Sequence, residues 1–320
     1  MSKKDLFLSV CIPTYNRCEV LKDSLHRQLF FFEKFNIELC ISNNASTDDT
    51  DVYIKNLLKL HKNIKYHLQT DNKGIDQNMI DVISMAKGKY ILPLGDDNIL
   101  LHEHWKILTE ELNRNPDLLV LNGYHGLKSH LPQKLSGISF NNPSEAFEKI
   151  WDKLEFGSFI IKKDTLIHKI YKKYMGTNHA YSGWVWESLL AKYKKNGSVL
   201  ISTAKTPLIL FKKERKTWHD DMFKIFFYDL PSWLQIASKS YPIVLERGLL
   251  QKYFKKFTKT STLIDFKNGG FLTKENIRLY MSLFNDKQKA KAYRVAKWPK
   301  ILDRLFSLAL ILKSLKHEKA

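Results

Sequence analysis

Cysteine is scarce in this chain, with Cys11, Cys18 and Cys40 the only three in 320 residues. An odd number without metal-ligand spacing offers no disulfide framework and no cysteine-based metal site, and it reads as reduced thiols in a cytoplasmic protein. Long apolar runs are absent too, since no stretch of about 18 or more apolar residues occurs, and no membrane-spanning helix is expected. Met1-Ser2-Lys3-Lys4-Asp5 leads straight into the first apolar segment, so no secretory leader is expected. There is no internal repeat and no low-complexity linker. Acidic charge is in short supply, with 33 Asp and Glu against 52 Lys and Arg and a formal net charge of +19. Most of that surplus sits in the last quarter, where residues 239–320 carry 19 Lys and Arg against 6 Asp and Glu. No recognised nucleic-acid module accompanies the charge, and nucleic acid is not expected as a partner.

What the chain does have is a series of apolar segments that each end in a polar loop. Leu6-Phe7-Leu8-Ser9-Val10-Cys11-Ile12 stops at Pro13-Thr14-Tyr15-Asn16-Arg17, and a helical pattern with Val20, Leu21, Leu25 and Leu29 follows. Ile37-Glu38-Leu39-Cys40-Ile41 runs into Ser42-Asn43-Asn44-Ala45-Ser46-Thr47-Asp48-Asp49-Thr50, whose Ser, Thr and Asp residues are helix-capping types. A third short strand, Ile64-Lys65-Tyr66-His67-Leu68, leads through Asn72-Lys73-Gly74 to a helix with Met79, Ile80, Val82, Ile83 and Ala86. Strands alternating with helices in this way predict a parallel sheet with right-handed crossovers.

The fourth segment carries the chemistry. Tyr90-Ile91-Leu92-Pro93-Leu94 delivers Gly95-Asp96-Asp97-Asn98 at what should be the C-terminal end of a buried strand, where ligand sites of open α/β sheets lie. Adjacent carboxylates repel and are costly to desolvate unless a cation shares the site, and a hard divalent ion carrying a nucleotide diphosphate would suit them. An acidic turn after a strand is the alternative, since Gly-Asp-Asp-Asn is good turn chemistry.

Taken in order, Ile12-Pro13-Thr14-Tyr15-Asn16-Arg17, Ser42-Asn43-Asn44-Ala45-Ser46-Thr47-Asp48, Asn72-Lys73-Gly74 with Asn78, and Ala86-Lys87-Gly88-Lys89-Tyr90-Ile91 running into Gly95-Asp96-Asp97 resemble the family 2 glycosyltransferases of GT-A fold. The likeness covers about the first 110 residues and is similar to bacterial surface-polysaccharide transferases, including the abequosyltransferase-like branch. It implies an α/β fold of GT-A (Rossmann-like) type, a mainly parallel sheet flanked by helices. The expected division is a transferase domain over residues 1–215, with a nucleotide-binding half at 1–110 and an acceptor side at 120–215. A basic helical C-terminal region over 216–320 completes it.

The resemblance also implies roles. Pro13, Thr14 and Tyr15 would line the base pocket, with Arg17 near the base or the phosphates. Where the family has an Asp that accepts the uracil N3 proton, this chain has Asn44, whose amide both donates and accepts and so admits uracil or cytosine. The family's Asp-x-Asp pattern would align its first Asp with Gly95 and its last with Asp97. Asp97 is therefore the expected ligand of Mn²⁺ or Mg²⁺, an ion that completes its shell with water and phosphate oxygens. Asp96 is expected at the ribose or beside the metal, Asp76 at the ribose or as a helix cap, and His219 as a supplementary metal ligand or a surface histidine. Glu187, in Tyr181-Ser182-Gly183-Trp184-Val185-Trp186-Glu187, falls where the family carries its catalytic Asp. It would take the acceptor's proton as the hydroxyl attacks from the side opposite the leaving diphosphate, which inverts the anomeric centre. Trp184 and Trp186 would offer faces to sugar rings or fill the core.

The expected partners are a nucleotide-sugar donor, a UDP-sugar foremost, and a glycan or lipid-linked saccharide acceptor in surface-polysaccharide biosynthesis. Trp298, Ile301, Leu302, Leu305, Leu308, Ala309, Leu312 and Leu315 recur at helical spacing among Lys297, Lys300, Arg304, Lys313 and Lys316. Such a helix suits an anionic membrane surface, giving a peripheral place on the inner face of the cytoplasmic membrane, or packs on its own domain with a solvated basic face. Sugar-phosphate nucleotidyl transfer would need a Gly-rich loop where Pro13-Thr14-Tyr15-Asn16-Arg17 stands. A non-catalytic basic adaptor for membrane or polyanion, built on a decayed transferase domain, is the other reading.

Overall fold

The computed structural model describes residues 7–126, 128–212, 220–299 and Asp303. The chain groups into two compact units, Met1–Thr217 and Trp218–Ala320. In the first, strands and helices alternate as β1 (Leu8–Thr14), α1 (Cys18–His26), α2 (Leu29–Lys34), β2 (Glu38–Asn43), α3 (Thr50–Leu60), β3 (Ile64–Leu68), α4 (Gly74–Met85), β4 (Tyr90–Pro93), β5 (Ile99–Leu100) and α5 (Trp105–Asn113). There follow β6 (Leu118–His125), β7 (Lys128–Ser129), β8 (Ser139–Phe140), α6 (Pro143–Ile150), β9 (Phe159–Lys162), α7 (Ala180–Asn196) and β10 (Ile201–Phe211).

The strands form one sheet in the order β3-β2-β1-β4-β9-β6-β10-β5, with β7 beside β6 and β8 beside β10. The first four run parallel, as the alternating pattern predicts. Beyond them the sheet is mixed, because β9 enters antiparallel between β4 and β6. β1 and β2 are buried along their whole length, which is why their apolar runs are continuous rather than alternating. Leu21, Leu25 and Phe32 from the flanking helices close on Val10, Ile12, Leu39 and Ile41 to make the core. β1 runs through Pro13 instead of stopping before it. β4 has ended opposite Cys11, so a missing N–H there is tolerated. Cys11 and Cys40 face each other across β1 and β2, and burial pushes the Cys11 thiol well above its ordinary value.

The second unit is helical. Its helices include Leu230–Ala237, Leu249–Phe257, Thr260–Asn268, Lys274–Tyr280 and Asp286–Ala296. Aromatic rings fill its core: Phe223 stacks on Phe227 at 4.2 Å and Phe227 meets Phe266 edge-on at 5.1 Å. Thr273 and Asn285 cap two of these helices by accepting from the amides three residues on. Among the described residues no helix is long and apolar enough to cross a membrane. The basic segment expected beyond Trp298 lies, apart from Pro299 and Asp303, outside the described residues.

Candidate active site

β1 and β4 are parallel neighbours with Cys11 opposite Pro93, so the residues that follow each strand emerge at one edge of the sheet. Thr14 and Asp96 each stand a few residues beyond that register pair, and the Thr14 hydroxyl donates to Asp96 Oδ2 at 3.1 Å. Arg17, in the same loop, reaches both carboxylates. Its Nε lies 3.0 Å from Asp96 Oδ1 and its Nη2 lies 3.1 Å from Asp97 Oδ2. A guanidinium thus supplies positive charge to the adjacent carboxylates, and its fork geometry suits two acceptors at once. All three groups are buried, Asp97 to 1 % side-chain exposure.

The turn that carries the pair is held from behind by Asn98. Its Nδ2 donates to the Phe156 carbonyl at 2.9 Å, and its own carbonyl accepts from Gln28 Nε2 at 3.1 Å. A Cβ at Gly95 would stand 2.9 Å from Asn98 Nδ2 and 3.2 Å from Asp97 Oδ1. A Cβ at Gly157, whose φ is +84°, would meet the same amide at 2.9 Å. Gly95, where the resemblance would put an aspartate, is therefore the residue that lets Asp97 and Asn98 fold back over the turn. Neither Asn98 nor Gln28 stands out in the sequence. The one available signal is that Asn98 directly follows the acidic pair.

The β1 and β2 loops are tied together. Asn16, at φ 51°, accepts from the Thr47 amide at 2.7 Å through its side chain, and its own amide donates to Ser46 Oγ at 2.9 Å. Tyr15 is half-buried beside them, and Pro13 is buried. Asn44 is 4 % exposed and spends both ends of its amide on the loop before α4. Its Nδ2 donates to Asn72 Oδ1 at 2.7 Å, and its Oδ1 accepts from the Lys73 amide at 2.9 Å. In this arrangement Asn44 fastens the loop after β2 to the loop before α4.

Asp76 has an office beyond the expected ones. Although it lies in α4, it does not cap that helix. Its Oδ2 accepts from the amides of Gly176 and Asn178 at 2.9 and 3.0 Å, and its Oδ1 from that of Ala180, the first residue of α7, at 2.9 Å. It is a cap supplied to α7 from a hundred residues away, where negative charge complements the helix dipole. Burial pushes its carboxyl above the ordinary value, against the pull of those amides and of His179. Asp76→Ala should strand three amides and lower stability by about 2–4 kcal/mol. Urea unfolding checks this, and loss within experimental error of wild type would refute the latch.

Along α7 every residue from Ala180 to Leu190 is buried. Trp184 donates to the Ile167 carbonyl at 2.7 Å, and Trp186 packs edge-on against Phe147 at 5.1 Å. Both rings fill the interior, with 4 % and 0 % exposure, so neither presents a face on which a sugar could dock. Glu187 is buried as well. Its Oε1 accepts from Tyr174 Oη at 2.7 Å and pairs with Lys173 Nζ at 2.7 Å. Tyr174 is brought there by Gly183, since a Cβ at Gly183 would stand 2.4 Å from its ring. His219 lies outside the described residues.

The sheet order and flanking helices are those of the GT-A fold. A crystal structure of S. aureus TarS superposes with a TM-score of 0.55, covering 91 % of this chain and 89 % of that one at 15 % identity. The mannosyltransferase PcManGT from Pyrobaculum calidifontis, solved with GDP-Man and Mn²⁺, gives 0.50 over 92 % and 88 % at 10 % identity. The profile of glycosyl transferase family 2 matches residues 9–174, over half of the chain, and the chain belongs to that family. It is 38 % identical over 117 residues to the abequosyltransferase RfbV of Salmonella typhimurium, covering 35 % of this chain and 34 % of that protein. It is 28 % identical over 177 residues to the GalNAc(5)-diNAcBac-PP-undecaprenol beta-1,3-glucosyltransferase of Campylobacter jejuni, covering 54 % and 57 %. The chain therefore aligns with between about a third and somewhat over half of the length of these relatives.

Proposed function

We propose that this protein transfers a sugar, with inversion, from a nucleotide diphosphate to a glycan or lipid-linked saccharide in the assembly of a bacterial surface polysaccharide. The observation that carries this reading is the joining of Thr14, Arg17, Asp96 and Asp97 at the C-terminal edge of β1 and β4. The two named relatives, a sugar transferase and an undecaprenol-linked glucosyltransferase, support the class of donor and acceptor. Pro13, Thr14 and Tyr15 would border the base, a uracil foremost, and Arg17 would meet the diphosphate charge. The oxygen donors at Asp97 suit a hard ion such as Mn²⁺ or Mg²⁺. Such an ion would supply stabilisation of the departing diphosphate's charge. Glu187 would accept the acceptor's proton. In support, Lys173 and Tyr174 both hold Oε1, which leaves Oε2 to a hydroxyl. The basic surplus over 239–320 supports a peripheral seat on an anionic membrane.

The test is calorimetric titration of UDP, CDP and GDP, each with and without Mn²⁺, into wild type and Asp97→Ala. Binding of one nucleotide that depends on the ion and is lost in the variant is the expected result. Absence of binding by all of them would sink the transferase reading. It would favour the basic adaptor, for which an open depression of about 580 Å³ lined by Lys87, Lys89, Lys162 and Lys163 offers anion-binding chemistry.

A further inference from the structure

We infer that His125, His130 and Glu155 form a binding site for a first-row divalent transition ion, Zn²⁺ foremost, made of residues other than the acidic pair. One ligand atom from each of these side chains lies within 4.8 Å of the others, so modest side-chain rotation brings all of them onto one ion. Two imidazoles and a carboxylate are a donor set that zinc accepts with water in the remaining position, and they are softer than the all-oxygen set at Asp97.

The surrounding structure orients both imidazoles and fixes the backbone of Glu155. His125 ends β6, and its ring stacks on Phe211 at 4.2 Å with 6° between the planes. His130 lies 5.6 Å from it, ring to ring, after the turn into β7. His130 Nε2 sits 3.1 Å from the Lys153 carbonyl, which fixes that nitrogen as the donor and turns Nδ1 into the lone-pair side, the arrangement metal-bound histidines use. Burial lowers the proton affinity of this imidazole. Glu155 is pinned through its backbone, its amide donating to Ser158 Oγ at 2.6 Å. Its Oε2 lies 4.0 Å from His125 Nε2.

The position is consequential. Because β9 is antiparallel to both β4 and β6, those two strands point the same way, and His125 leaves the sheet at the edge that carries Asp96 and Asp97. The loop of Glu155 continues into Phe156 and Gly157, which bind Asn98 and the Pro93 carbonyl. An ion here would fasten that loop to the end of β6 and so stiffen the support of the acidic turn.

The test titrates Zn²⁺, and separately Co²⁺ for its visible ligand-field bands, into the full chain as wild type, Glu155→Gln and His125→Phe. Glu155→Gln is isosteric and His125→Phe keeps the stack on Phe211, so both should fold, which circular dichroism and the melting temperature of the metal-free proteins verify. The expected result is one equivalent bound by wild type. Affinity should fall at least tenfold, the size of effect seen when a site's supports are removed, in the two variants. No bound equivalent in wild type, or undiminished affinity in Glu155→Gln and His125→Phe, would each overturn the assignment. Nucleotide is absent from every arm, so the outcome is independent of the proposed transfer.

Discussion

Glu187→Gln should lower the turnover number by on the order of 10²- to 10⁴-fold, the range associated with removing a general base, while leaving the donor KM near wild type. The amide keeps the shape and still accepts from Tyr174 and Lys173, so the melting temperature should change little. The measurement is a steady-state assay with sugar conjugates of the nucleotide identified by titration, paired with thermal unfolding. A structural role predicts the opposite pattern. Glu187 is 5 % exposed and anchors two neighbours across the N-terminal half of α7. If anchoring were its whole contribution, Glu187→Gln would retain turnover and Glu187→Ala would lose stability. Wild-type turnover in Glu187→Gln would remove this residue from the chemistry.

The second large effect concerns the opposite sign of charge. Arg17→Met should cost about 3–5 kcal/mol of stability, because it withdraws the guanidinium from Asp96 and Asp97, which are buried side by side. Chemical denaturation measures this directly. The attribution is checked by a cycle: in an Asp97→Asn background the same change at Arg17 should cost less, since one buried charge is already gone. Equal costs in both backgrounds would mean that packing of the arginine stem, not charge, is what the site loses. Added Mn²⁺ should recover part of the stability of Arg17→Met if the carboxylates accept a divalent ion in its place, by the mass action that stabilises any ligand-binding native state.

The sequence spoke clearly where local pattern and tertiary position agree. β1, β2 and β4 are short apolar runs that close on polar loops, and a pattern of that kind survives into the fold because both faces of those strands are covered, whereas the edge strand β3 is buried only at Ile64. The acidic pair was legible for the same reason, as a strand end. What was illegible depends on partners far along the chain. Arg17 meets its carboxylates across about 80 residues, Asn44 meets Asn72 across 28, and Asp76 meets Ala180 across 104. Nothing in the local spacing of Asp76 distinguishes a contact to ribose from a cap on a helix a hundred residues later. The tryptophans of α7 misled in another way. Aromatics near a carboxylate suit a sugar, but this helix is enclosed on all sides through Leu190, and an enclosed helix uses the same residues as filling. Gly95 reads as a defect in the acidic motif until the Asn98 side chain is seen in the space a Cβ would take.

The Asp76 latch also bears on where this chain can be divided. The stretch matched by the family profile ends at residue 174, just short of the Gly176 amide. A fragment cut at that point would keep a carboxylate that burial already disfavours and discard every amide that receives it. The half that holds β1 to β4 is consequently not a module that can be lent to another chain by itself. Any natural or engineered recombination of this protein has to carry the start of α7 along with α4, and inheritance of the loops after β1 and β2 is bound to inheritance of a segment a hundred residues downstream.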